Sequence, residues 1–255
     1  MDELRRLVDN ARALVQDGYY DVRGQVPRSP SFLESFGTSG RPSDVIAEIK
    51  FASPTMSSGK SAADFDALLE RLARAHPLGL SVLAEPRIFG GHLDLVRKAT
   101  TSGLPVLFKD IVIHDVQVEA ARSCGASAVL LIQSLFSGAY VEGPVQALVD
   151  RVHDRDLDVI LEVHTLEEWD AAAATDADVL GINNRDLTSM AIDLGTTPRV
   201  LSARRKDRPV IAMSGVETRA DVEVMLRAGA DAVLVGTSIM SHADPAKKLE
   251  ELIHG

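Results

Sequence analysis

The sequence predicts a closed (β/α)8 barrel, the TIM barrel, with an extra N-terminal helix. Three observations carry this: eight short apolar runs, helical patterns in the intervals between them, and charged or amide residues at the ends of several runs. With 255 residues, 45% of them hydrophobic and 25% charged, and no Pro/Gly/Ser-rich linker, the chain reads as one domain spanning 1–255. Residues 1–44 form an extension and 45–255 the barrel. In the extension, Leu4, Leu7, Val8, Ala11, Leu14 and Val15 make an amphipathic helix that Gly18 ends.

The runs are Val45–Ile49, Leu80–Ala84, Pro105–Phe108, Ser127–Ile132, Asp158–Val163, Asp178–Ile182, Pro209–Met213 and Asp231–Val235. Runs this apolar read as strands buried on both faces, as in an all-parallel sheet. Between them, DFDALLERLARA, DVQVEAARSCGA and TRADVEVMLRAGA place apolar residues three and four apart. Eight such units suit a closed barrel better than an open doubly wound sheet, whose G-x-G-x-x-G turn is absent. GASAVLLI, TDADVLGI and GADAVLVG echo one another at the fourth, sixth and eighth strands, as layers built from alternate strands favour.

Composition narrows the partners. A net charge of −10 and a pI near 5.2 repel nucleic acid and anionic membrane, so an anionic small molecule must be met by local Lys and Arg. The single Cys124 rules out an intramolecular disulfide and fits a reducing compartment. MDELRRLVDN is charged from its second residue and no run nears the length of a membrane span, so the cytoplasm is the expected location.

Because active sites of this fold gather at the C-terminal strand ends, Lys50, Lys109, Glu162 and Asn183 are candidate site residues. Glu48 shares a face with Lys50, two residues away, and would hold its ammonium charged and oriented. Two ammonium groups and a carboxylate around one cavity suit acid and base duties. Ser214-Gly215-Val216 after the seventh strand and Gly236-Thr237-Ser238 after the eighth can aim backbone N–H groups at a phosphate. Ser53 and Arg185 add a hydroxyl and a guanidinium fork to the same anion.

The strings IAEIKFASP, SVLAEPRIFGGHLDLV, PVLFKDIVI, GASAVLLI, LEVH, GINNRDL, SGV and GADAVLVGTSIM, in this order, resemble the indole-3-glycerol phosphate synthase family from about Val45 to Met240. The resemblance implies ring closure of 1-(o-carboxyphenylamino)-1-deoxyribulose 5-phosphate with loss of CO2 and water, in tryptophan biosynthesis, and no cofactor or metal. It makes Lys109 the general acid, Glu162 the general base, and Lys50 the EIK lysine oriented by Glu48. Asn183 and Glu85 become polar substrate contacts, and Phe89 an aromatic contact to the anthranilate ring. Ser53, Arg185, Ser214, Gly215, Gly236, Thr237 and Ser238 fall on the phosphate site.

Two positions on the substrate's side depart from the family. Met213 stands where it usually has Glu, and Ile111 where it usually has Phe. The departures leave two alternatives open, a synthase-like barrel retuned for another sugar phosphate and a non-catalytic barrel that binds one. Other barrel enzymes fit less well. An isomerase would need Cys or Asp as acid and base, yet the first strand ends in Lys50; an aldolase would need lysine where Asn183 stands; the seven histidines show no metal-binding spacing. The expected partner is a small sugar phosphate, with the protein a monomer or small homo-oligomer.

Overall fold

In a computed structural model that describes residues 3–37, 40, 43–53, 56–57 and 62–255, without the side chains of 53, 56, 57 and 62, the eight apolar runs form eight parallel strands. These are β1 (Val45–Ile49), β2 (Gly79–Leu83), β3 (Val106–Lys109), β4 (Ala128–Ile132), β5 (Asp158–Val163), β6 (Val179–Asn183), β7 (Val210–Met213) and β8 (Ala232–Val235). Each bound falls within one residue of the run that predicts it, and β8 pairs back onto β1 to close the barrel. Val, Ile and Leu dominate because both faces are covered, one by the lumen and one by helices.

Helices fill the intervals and start where the sequence supplies an oxygen for their free N–H groups. Thr165, Thr218 and Asp244 accept from the backbone N–H groups of Glu168, Asp221 and Lys247, at the starts of the helices Leu166–Ala173, Arg219–Arg227 and Pro245–His254. Each such cap is worth about 1 kcal/mol. Among the described residues no helix is long and apolar enough to cross a membrane.

The lumen is layered. Ile46, Leu107, Ile160 and Ile211, from the first, third, fifth and seventh strands, belong to one inner apolar cluster. Two residues further along the same strands come Glu48, Lys109, Glu162 and Met213. Since side chains two apart share a face, the candidate charges occupy the next layer of the same lumen, above an apolar floor.

The extension runs from one end of the barrel to the other. Its first helix, α1 (Glu3–Gln16), adds Leu4, Leu7, Val8 and Ala11 to the inner cluster, beside Ile111 and Ile132 at the C-terminal strand ends. Tyr19 then donates its hydroxyl to the Ala84 carbonyl at 2.8 Å, and Tyr20 donates to Asp110 Oδ2 at 3.0 Å. Further along, Ser29 N–H donates to the Gly125 carbonyl at 2.8 Å. Ser31 Oγ and Leu33 N–H donate to Asp158 Oδ2, at 2.7 and 3.0 Å, where β5 begins.

A helix that periodicity does not reveal, α2 (Phe32–Gly37), sits at this N-terminal end; six residues are too few for a 3.6-residue repeat to register. Phe32 is wholly buried there, so close to β2 that a Cβ on Gly79 would lie 2.6 Å from its ring. Phe32→Ala is expected to lower the unfolding free energy by about 3–5 kcal/mol, the cost of emptying an aromatic site. Urea denaturation would measure this, and a loss below about 1 kcal/mol would show that the ring does not seal the barrel floor.

Candidate active site

Burying charges in a barrel demands partners, and the upper layer provides them. Lys50 Nζ lies 2.6 Å from Glu48 Oε1, as their shared strand face predicts. Across the lumen, Lys109 Nζ lies 3.5 Å from Glu162 Oε2. Asn183 donates Nδ2 to Glu162 Oε1 at 2.8 Å, while its Oδ1 accepts from the Arg185 backbone at 2.9 Å. Glu162 is therefore held on both oxygens, by an ammonium and by an amide of fixed orientation. Burial pushes the Glu48 carboxyl up, but Lys50, Lys109 and Arg185 outweigh it and hold the group below its ordinary value.

His164, just beyond Glu162, places Nδ1 2.6 Å from the Asn183 carbonyl. A carbonyl only accepts, so the proton is on Nδ1. Burial raises the neighbouring Glu168 carboxyl, which accepts from the His164 backbone at 2.7 Å. Glu162, His164, Asn183 and Arg185 share one cavity of about 250 Å³.

A second cavity, of about 440 Å³, opens beside the first. Glu48, Lys50 and Arg185 line its inner side, and Ser214, Gly215, Gly236, Thr237 and Ser238 line the side facing the last two strands. Gly215 has φ of +80°, and a Cβ there would lie 2.6 Å from Ile192. A side chain at Gly236 would run into the Glu48 carboxylate, so glycine lets the last loop close on the buried acid. The Ser238 hydroxyl donates to the Val216 carbonyl at 3.1 Å, joining the loops that follow β7 and β8. Arg185 reaches both cavities and so bridges the charged layer and the backbone donors.

Four further candidates, Glu85, Phe89, Ile111 and Met213, are buried or half-buried. Glu85 is fully buried and both its oxygens are taken: Oε1 accepts from Asn10 Nδ2 and Arg87 N–H, and Oε2 from Ile88 and Phe89 N–H, at 2.7–2.8 Å. A carboxylate with four donors in place fastens the Phe89 loop to α1. Phe89 itself packs, half-buried, against the inner cluster. Ile111 is buried in that cluster with the α1 leucines. Met213 is 2% exposed and lies against Gly181, where its thioether fills the fourth place in the charged layer. The backbone of Ser53 lies in a short hairpin, Ala52–Ser53 with Met56–Ser57, and its side chain is outside the described residues.

Sequence reasoning missed Asn10, Tyr20 and Asn184, all polar groups held by distant partners. It also missed Lys248, which lines the larger cavity from the helix Pro245–His254. Only the repeated Asn of N-N-R and the amphipathic spacing around Asn10 offered any signal.

A sequence model described as Indole-3-glycerol phosphate synthase matches residues 2–252. The chain belongs to the indole-3-glycerol phosphate synthase family. A relative of that name from Haloarcula marismortui is 37% identical over 251 residues, covering 97% of this chain and 89% of its own. Another, from Methanopyrus kandleri, is 39% identical over 263 residues, covering 99% and 97%. Among solved structures, a thiamine phosphate pyrophosphorylase from Pyrococcus furiosus superposes with a TM-score of 0.58 at 16% identity, over 83% of this chain and 94% of that one. At that identity the likeness concerns the barrel alone. The family assignment thus rests on the sequence relatives, whose span takes in both the N-terminal extension and the charged layer.

Asp110, next to Lys109, is buried and bonded to Tyr20 and to the Ile111 N–H; burial pushes its carboxyl up to about 7. Unfolded, the group titrates near 4. Between about pH 4 and 7 the folded chain therefore holds a proton that the unfolded chain has lost, so this group makes stability fall as pH rises through that window and level off above it. The slope for one proton is about 1.4 kcal/mol per pH unit. Asp110→Asn is expected to flatten this fall, read as the change of urea midpoint with pH. Parallel pH curves for the two proteins would contradict it.

Proposed function

We propose that the barrel closes the indole ring of 1-(o-carboxyphenylamino)-1-deoxyribulose 5-phosphate, releasing CO2 and water. The observation that carries this is the family match over residues 2–252. The residue roles are those the family resemblance implies, and the ion pairs of the charged layer are compatible with them. The anthranilate carbon that bears the carboxylate attacks the ribulose carbonyl, forming a carbon–carbon bond while Lys109 gives its proton to the carbonyl oxygen. Lys50, held by Glu48, faces the carboxylate that then leaves as CO2, whose bonding electrons restore the aromatic ring. The new hydroxyl departs as water after accepting a proton. Glu162, steadied by Lys109 and Asn183, removes the proton whose loss forms the last double bond of the indole.

The phosphate belongs in the larger cavity, where the Arg185 guanidinium and the backbone around Gly215 and Gly236 converge. The expected partner is thus a small sugar phosphate rather than nucleic acid or a membrane, in keeping with a net charge of −10. On this reading the protein acts in the cytoplasm as a monomer or small homo-oligomer.

Incubation with the carboxyphenylamino substrate, followed by indole fluorescence, tests the activity directly. Lys109→Ala and Glu162→Ala are each expected to lower kcat by about 10²–10⁴ with the circular dichroism spectrum unchanged. Near wild-type turnover in either variant would remove that residue from its role.

Met213 gives the test of substrate fit. Met and Glu are of similar length, so Met213→Glu would put an acceptor in the layer that already holds Lys109. It is expected to raise kcat/KM by up to about 1–3 kcal/mol in transition-state stabilisation, the worth of a hydrogen bond to a charged group. Weak turnover by the natural protein, unimproved by this change, would point instead to a barrel retuned for another sugar phosphate.

A further inference from the structure

Asn184 is fully buried, and every polar atom of it is engaged. Its Oδ1 accepts from Thr197 N–H at 3.1 Å and Thr197 Oγ1 at 2.8 Å. The Thr197 N–H can only donate, so the acceptor end of the amide must face it. That leaves Nδ2 facing the turn after β7, where it donates to the Ser214 carbonyl at 3.1 Å, and the helix Arg219–Arg227, where Met225 Sδ lies 3.8 Å away. The backbone completes the grip: Asn184 N–H donates to the Met213 carbonyl, and Asp193 N–H donates to the Asn184 carbonyl, both at 2.8 Å.

What this side chain holds is unusual. Ser214 has φ of +66° and Gly215 follows with φ of +80°, two successive left-handed residues, the first of which carries a Cβ. A residue with a side chain adopts that conformation only when its surroundings fix it. Here the surroundings are the Asn184 amide on the Ser214 carbonyl and the side chains of Ile192 and Leu194 packed over Gly215. The turn so held is the one that faces the larger cavity opposite Gly236. Asn184 itself lines neither cavity.

We infer that Asn184 is a positioning residue for the phosphate end of the substrate, acting only by fixing the left-handed Ser214–Gly215 turn. The inference rests on the proposed function, which puts the phosphate against that turn. Its neighbours act separately: Asn183 steadies Glu162, and Arg185 enters the anion cavity. Loss of the Asn184 amide should therefore weaken phosphate capture and leave the acid and base untouched.

Asn184→Asp keeps the acceptor toward Thr197 and removes the N–H that holds Ser214; Asn184→Ala removes both. For each, KM and kcat are measured with the carboxyphenylamino substrate, and the Kd of inorganic phosphate by calorimetry. The expected result is a rise of tenfold or more in both KM and phosphate Kd, with kcat within about threefold of wild type. Should neither variant fold, Thr197→Val, which frees one contact to Oδ1, is expected to raise both constants about threefold. Wild-type phosphate affinity in a folded Asn184→Asp protein, or a fall in kcat with phosphate Kd unchanged, would overturn the inference alone. Failure of the wild-type protein to bind phosphate would overturn the anion site itself, and this inference with it.

Discussion

Everything in this barrel is arranged around the need to keep charges inside it. A lone carboxylate in a strand-lined lumen would cost several kcal/mol in lost hydration, and removing one partner of a buried pair leaves that cost uncompensated. The chain meets this with two cations and two carboxylates across one region: Lys50 on Glu48 at 2.6 Å and Lys109 on Glu162 at 3.5 Å. The tighter pair lies along one strand and the looser one crosses the barrel. The short pair is best suited to a fixed ammonium, whereas the longer separation leaves Lys109 closer to a state in which it can exchange partners. Asn183 keeps Glu162 oriented without adding charge.

Strands were legible because each is apolar over its whole length, which leaves a polar residue at its end conspicuous. Lys50, Lys109, Glu162 and Asn183 all stood out in this way, and they do meet in one lumen. Glu85 also follows an apolar run, but only the family resemblance made it a candidate. Whether such a carboxylate is free depends on the turn after it, and here that turn folds back three N–H groups onto the acid while Asn10 supplies a fourth bond. Turn geometry of this kind has no periodicity to read.

The short elements were illegible for a related reason. The helix Phe32–Gly37 and the hairpin at Ala52–Ser53 are briefer than any repeat they could display. Asn184 was overshadowed by Asn183, since sequence alone does not say which of two adjacent amides faces a site and which faces a turn. Met213 was noticed only because the family usually places a carboxylate there. Its packing on Gly181 shows the physical side of that change, a contact of apolar surface in place of an acceptor.

The N-terminal extension carries a timing constraint. Its anchors lie far downstream in the chain: Glu85 is 75 residues beyond Asn10, Asp110 is 90 beyond Tyr20, and Asp158 is 127 beyond Ser31. At ribosomal rates of roughly 5–20 residues per second, the extension waits on the order of ten seconds for its last anchor to appear. Over that interval the α1 leucines, buried in the folded protein, have no completed barrel mouth to cover. The extension can therefore make its full set of contacts only after the strands that carry its anchors have been made.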